Sequence, residues 1–202
     1  MMKKDISKII RRTHLYLALF LMPWMAMYAI STMAMNHRDD FNDMYGDPRN
    51  VYQTVAERTL NLQFSEGVST QQAAVQILQT LGLEGAHNAN GSMENDRITI
   101  NRNSLVKPKR ITFIPSTQSL TIEELAFRSP HFLERMHRAR GYSQSYWVNN
   151  LWAFLVDVVI AAMILWGATG LWMWWELKIT RLWGVVCLTG GALLFGFFLA
   201  MI

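Results

Sequence analysis

The sequence has a single cysteine, Cys187, and that residue falls inside an uncharged apolar run. One thiol excludes an internal disulfide framework and leaves no set of thiolates for zinc. Its expected role is that of a small residue facing lipid or a neighbouring helix. Charge is missing in whole blocks. Residues 15–35 carry no ionisable side chain except tyrosine, residues 182–202 carry no charge, and residues 147–175 carry one, Asp157. An uncharged apolar stretch of about twenty residues is long enough to cross a ~30 Å hydrocarbon core as a helix. The polar remainder, residues 36–146, amounts to one small domain. It has no phosphate-binding glycine loop, no nucleophile–base arrangement and no carboxylate pair in a recognisable context. It also has no basic patch, so nucleic acid is not implied as a partner.

What is present begins with a charge asymmetry. Lys3, Lys4, Lys8, Arg11, Arg12, Lys178 and Arg181 flank the apolar runs on one side, opposed by Asp5 and Glu176 alone, a net of +5. The polar portion balances 12 basic against 12 acidic residues. Basic residues stay on the cytoplasmic side of a membrane, so the spacing predicts a cytoplasmic N-terminus and an exported polar domain. The resulting layout is a basic N-terminus over 1–12, a first span over 13–36, an extracytoplasmic domain over 37–146, a second span over 147–175, a cytoplasmic turn over 176–181 and a third span over 182–202. A cleavable signal peptide is the alternative for the first run, with a weak site at Thr32-Met33-Ala34. The run of about twenty residues exceeds the usual 7–15 of a secretory apolar region, which favours an uncleaved anchor.

Within the polar domain, Pro48 followed by Val51, Tyr52, Val55 and Thr59 reads as a short amphipathic helix over 48–62. Ser69 and Gln72 form a capping box that opens a second helix. Ala73, Ala74, Ile77, Leu78 and Leu81 make its apolar face, and Gly82 or Gly85 ends it. From Arg97 the period changes to two, with Ile98 and Ile100, then Ile111 and Phe113, then Leu120 and Ile122. That predicts a three-stranded antiparallel sheet under one covering helix. Residues 123–140 return to a helical or mixed pattern interrupted at Ser129-Pro130, bringing His131 and His137 to the outer membrane surface. The domain reads as one that binds rather than catalyses.

Tyr142, Tyr146, Trp147 and Trp152 are placed as an outer aromatic belt, and Trp172, Trp174, Trp175 and Trp183 as an inner one. Trp24, near the middle of the first span, is expected to pack between helices. Asp157 falls roughly 10 Å inside the outer interface, where a bare charge is costly. Two readings stand: a protonated or hydrogen-bonded carboxyl that locks helices together, or an acceptor that orients a histidine N–H for iron. Gly167-Ala168-Thr169-Gly170 and Gly190-Gly191 offer smooth patches for close helix approach.

Three fragments, in this order and topology, carry a likeness. They are Arg11-Arg12-Thr13-His14, the Leu133-x-x-x-His137-x-x-x-Gly141 element, and Thr169-Gly170-Leu171-Trp172. With the α+β module between them, the chain resembles the PepSY-associated transmembrane-helix family along nearly its whole length. The resemblance implies a membrane α-helical fold, three transmembrane helices with an inserted small α+β PepSY-like extracytoplasmic domain, in the bacterial inner membrane. Larger members, which carry a fourth span and more histidines, include ferric-siderophore reductases with b-type haem; others are associated with iron uptake without a defined activity. Two functions are therefore carried forward. The first is a non-catalytic accessory subunit of an iron-uptake or membrane redox system, whose partners are lipids, another membrane protein or a second copy, and an exported protein bound by the domain. The second is an electron-transfer subunit with haem b, part of a ferric reductase. His37 and His137 are its candidate axial ligands, with Asp157 behind one of them. His14 matches the family's first-span histidine but lies 23 residues from His37, about 35 Å along a helix, so the two cannot share one iron. A methionine such as Met22, Met25 or Met27, or a partner chain, would have to complete its coordination. His131 and His137, six residues apart, lie on different faces of a helix.

Overall fold

The computed structural model describes residues 2–45, 52–65, 67–142, 144 and 146–202. Three helices are long and apolar enough to cross a membrane: α1 (Met2–Asn36), α5 (Trp147–Glu176) and α6 (Arg181–Met201). Between α1 and α5 lie a short helix α2 (Arg38–Tyr45), a sheet domain and helix α4 (Ser129–Arg138). The chain divides into two compact units, Met1–Met25 with Asp157–Ile202, and Ala26–Val156.

In the first unit the helices meet along a narrow seam. Residues 7, 10, 14, 17, 21 and 24 of α1, with Ala18 beside them, are its covered positions. This alternation of three and four is the 3.5-residue period of left-handed helix pairs. Leu17, Leu21 and Trp24 pack there with Val159, Ala162 and Trp166 of α5, so Trp24 sits in the helix contact. Pro23 stands on an exposed position of an unbroken α1. No residue of α6 is buried. Its first turn is nevertheless tightly seated, because a Cβ added to Gly184 would collide with the Trp174 indole at Nε1. Arg181 donates to the Trp175 carbonyl at 2.6 and 2.9 Å while its guanidinium stands 4.8 Å over the Trp175 ring.

In the second unit the sheet has five antiparallel strands, not three. They are β1 (Tyr52–Thr59), β2 (His87–Ser92), β3 (Arg97–Arg102), β4 (Lys109–Ile114) and β5 (Ser119–Leu125), in the spatial order β1-β5-β4-β3-β2. Helix α3 (Thr70–Thr80) covers one face. Ala73, Ala74, Ile77 and Leu78 meet Ile98, Ile100, Ile111, Phe113, Leu120 and Ile122 in a closed apolar core. The capping box forms as its residues predict: Gln72 N–H donates to Ser69 Oγ, and Ser69 N–H donates to Gln72 Oε1 at 3.1 Å. Leu81 is the C-cap and Gly82, at φ +63°, turns the chain out of the helix.

The helix expected over 48–62 is replaced by an edge strand, β1, over Tyr52–Thr59, followed by irregular chain over 60–62. Pro48 and Val51 lie outside the described residues. β1 pairs only with β5, and a bulge between Thr54 and Ala56 shifts its register. The bulge breaks the two-residue alternation and leaves Tyr52, Val55 and Thr59 at intervals that imitate a helix. Ser129-Pro130 also does not interrupt a helix. Pro130 occupies the first turn of α4, where its missing N–H costs nothing.

Candidate functional site

Within the first unit, two of the fragments singled out in the sequence pack on each other. His14 Nδ1 lies 3.0 Å from Thr169 Oγ1. The Thr169 hydroxyl also lies 2.8 Å from the Leu165 carbonyl and 2.9 Å from the Trp166 carbonyl of its own helix. A hydroxyl has one proton, and donating it to a carbonyl leaves its lone pair to accept from His14 Nδ1–H. In that arrangement the ring proton sits on Nδ1 and Nε2 keeps the lone pair. The imidazole stacks on Trp166 with ring centroids 5.4 Å apart and planes 14° from parallel. The other side of the cradle is Gly170, where a Cβ would stand 3.3 Å from His14 Cε1. Trp166 Nε1 is buried with no hydrogen-bond partner among the described residues.

One turn and two turns before His14, the same fragments meet through Glu176. Ser7 Oγ donates to its carboxylate at 2.6 Å, Trp172 Nε1 donates at 3.2 Å, and Arg11 forms an ion pair at 3.6 Å. Arg11 and His14 of the first fragment thus engage Trp172, Thr169 and Gly170 of the last, through Glu176 and the imidazole.

The second unit holds a parallel arrangement. Ser31, fully buried, places Oγ 3.0 Å from the Tyr28 carbonyl and 2.8 Å from His137 Nδ1. Here too, a hydroxyl that donates to its own helix can accept from Nδ1–H, which leaves Nε2 as the lone-pair nitrogen. Tyr28 meets the imidazole edge-on, with centroids 4.9 Å apart and planes at 84°. Helix α4 is positioned for this by the ion pair from Glu134 to Arg38 at 2.6 Å, and Glu134 also pairs within the helix with Arg138 at 3.0 Å. Its following turn is fixed where Trp152 Nε1 donates to the Ala139 carbonyl at 2.7 Å and Asn149 Nδ2 to the Gly141 carbonyl at 3.1 Å. Gly141 adopts φ +89°, which accounts for glycine four residues after His137. Burial lowers the pKa of the Arg135 guanidinium, which donates to the Leu105 carbonyl at 3.0 Å, while nearby Tyr52 and Glu134 oppose that shift.

The remaining candidates are placed differently. His37 is about half exposed, and its Nδ1 lies 3.4 Å from Asp40 Oδ2 one turn on. His37 and His137 therefore have separate partners. His131 is buried, and Asp157 occupies an exposed position of α5. Among the described residues, no three His, Cys, Asp or Glu side chains converge as a metal site. The sequence reading missed Thr169 and Ser31 as histidine partners. Their signal is present but faint, a hydroxyl on an otherwise apolar helix.

No protein-family model, curated protein or solved structure matches the chain.

Proposed function

We propose that the chain is a multi-pass protein of the bacterial inner membrane, with its basic end cytoplasmic and its α+β domain, PepSY-like by resemblance, exported. In this reading it serves as a non-catalytic accessory subunit of an iron-uptake or membrane redox system. Its spans dock a second membrane protein and its domain contacts an exported one. The observation that carries the reading is α6, an apolar helix of 21 residues none of which is buried. Beyond its first turn, a helix that adds so little to the chain's own core offers its circumference to lipid and to a lateral partner. In-membrane cross-linking followed by affinity purification tests this. A defined membrane-protein partner cross-linked from α6 positions is expected. A chain that remains a monomer without cross-links, or that washes off membranes at alkaline pH, overturns it.

A second reading, electron transfer through haem b, is favoured by the two held imidazoles. Metal-ligating histidines characteristically donate their other ring N–H to a fixed acceptor. His14 and His137 each place Nδ1 within hydrogen-bond distance of a held hydroxyl that can accept, Thr169 at 3.0 Å and Ser31 at 2.8 Å. The residues fit one axial position at each ring. A b-type haem, when bound, supplies one-electron transfer. His37, paired only with the exposed Asp40, lacks such support. A reduced-minus-oxidised spectrum of the detergent-solubilised protein decides the matter. A b-type signal abolished in His14→Ala or His137→Ala and kept in His37→Ala supports the held rings. Loss in His37→Ala returns the pairing to His37 with His137. No Soret band, together with substoichiometric iron, sinks the haem reading.

A further inference from the structure

The basic end of α1 holds two exposed cations outside the ion pairs of the described residues. Glu176 is already engaged by Ser7, Trp172 and Arg11. Lys8 and Arg12, one turn apart on the same face and both exposed, have no ion-pair partner among the described residues. Like charges at this spacing repel. That penalty is relieved by an anion placed between them.

The shape beside these residues suits such a ligand. Ser7, Lys8, Arg11, Arg12 and Leu15 line an open concavity of about 380 Å³ along one flank of α1. Its polar part is three cations and a hydroxyl. Its apolar end is Leu15, the first residue of the uncharged stretch that runs to Met35. Tyr16 and Leu19 continue an exposed apolar surface past it. Along the helix Ser7 and the three cations come first and Leu15 follows, so a polar, cationic stretch passes directly into hydrocarbon, as a phospholipid headgroup passes into its acyl chains.

We propose that this concavity binds the phosphate headgroup of an anionic phospholipid, with Lys8 and Arg12 on the phosphate, Arg11 shared with Glu176, and an acyl chain lying over Leu15. The inference rests on the reading of α1 as membrane-spanning. Each basic residue near an anionic bilayer contributes about a fivefold gain in affinity, so Lys8 and Arg12 together contribute roughly 25-fold. The effect weakens with added salt as the exposed charges are screened.

The test is native mass spectrometry of the full-length, detergent-solubilised protein titrated with phosphatidylglycerol, phosphatidylcholine or inorganic phosphate. Phosphatidylglycerol is expected to bind selectively, and Lys8→Gln with Arg12→Gln is expected to lower its affinity by roughly 25-fold. Lys8→Arg should retain it. Arg58→Gln with Arg97→Gln, which removes the same charge from the sheet domain, should leave it unchanged. Preserved tryptophan emission and thermal midpoint certify that the variants fold. Equal binding of phosphatidylcholine, selectivity retained without Lys8 and Arg12, or equal loss in the sheet-domain control overturns the proposal. Displacement of the lipid by millimolar inorganic phosphate assigns the concavity to free phosphate and overturns it too. Resistance of the protein to alkaline extraction, measured in parallel, separates failure of this site from failure of the membrane reading.

Discussion

His137 Nδ1 lies 2.8 Å from the Oγ of Ser31, a side chain 106 residues earlier in the chain and wholly removed from solvent. By donating to the Tyr28 carbonyl, that hydroxyl would favour the Nδ1–H tautomer of the imidazole. Ser31→Ala removes the acceptor and leaves a partly buried N–H unpaired, at an expected cost of about 1–2 kcal/mol. Histidine ¹⁵N spectra should show His137 held as Nδ1–H in the parent and mixed in the variant. An unchanged spectrum would refute the assignment.

Gly170 and Gly167, one turn apart on α5, should respond in opposite senses to alanine. A Cβ at Gly170 meets His14 Cε1 at 3.3 Å, and that ring is backed by Trp166. Gly167 has nothing within 4 Å. Gly167→Ala gains helix propensity, whereas at Gly170 crowding offsets that gain. The two variants should differ by about 1–2 kcal/mol in unfolding free energy. Equal stabilities would remove the cradle around His14.

Gly184 makes the tighter contact. Any side chain there collides with the Trp174 indole, while Gly190 and Gly191 face open space. Gly184→Ala should shift the emission of Trp174 and weaken the seat of α6, and Gly190→Ala should do neither. Tryptophan fluorescence of the pair, read in a background lacking Trp183, provides the check.

Acid should destabilise the sheet domain through Glu124. Burial pushes its carboxyl upward, but Lys107 at 3.2 Å and Lys109 at 3.3 Å, by hydrogen bonds and charge together, hold it below its ordinary value of 4.5. A folded-state pKa below the unfolded one gives stability that is complete above the unfolded value and lost as pH falls through the folded one. Urea midpoints should therefore decline below about pH 4.5 in the parent. Glu124→Gln should flatten that part of the profile, and an unaltered profile would show the pair to be inert.

Legibility followed local chemistry. Helix α3 was readable end to end because Ser69, Gln72, the apolar face and Gly82 all act within the helix and its caps. Strands β3, β4 and β5 alternate cleanly because one face of each lies on α3. β2 was not readable: His-Asn-Ala-Asn-Gly-Ser contains no β-branched or aromatic residue, and it is a strand only because β3 pairs with it. β1 misled because its bulge put the alternation out of phase. α2 read as a polar acidic run because it has little apolar face of its own. The histidines were visible as chemistry but not as sites, since Thr169 and Ser31 are far from them in sequence and mean nothing until the helices pair.

The seating of α6 has a mechanical consequence. Its 21 residues measure about 31 Å, a close match to a bilayer core, whereas the 30 residues of α5 measure about 45 Å and overrun it. The contacts described for α6, at Gly184 and Arg181, both lie in its first turn. Thinning or thickening of the surrounding lipid will thus be felt as leverage on that turn, with the Trp174–Gly184 contact as fulcrum.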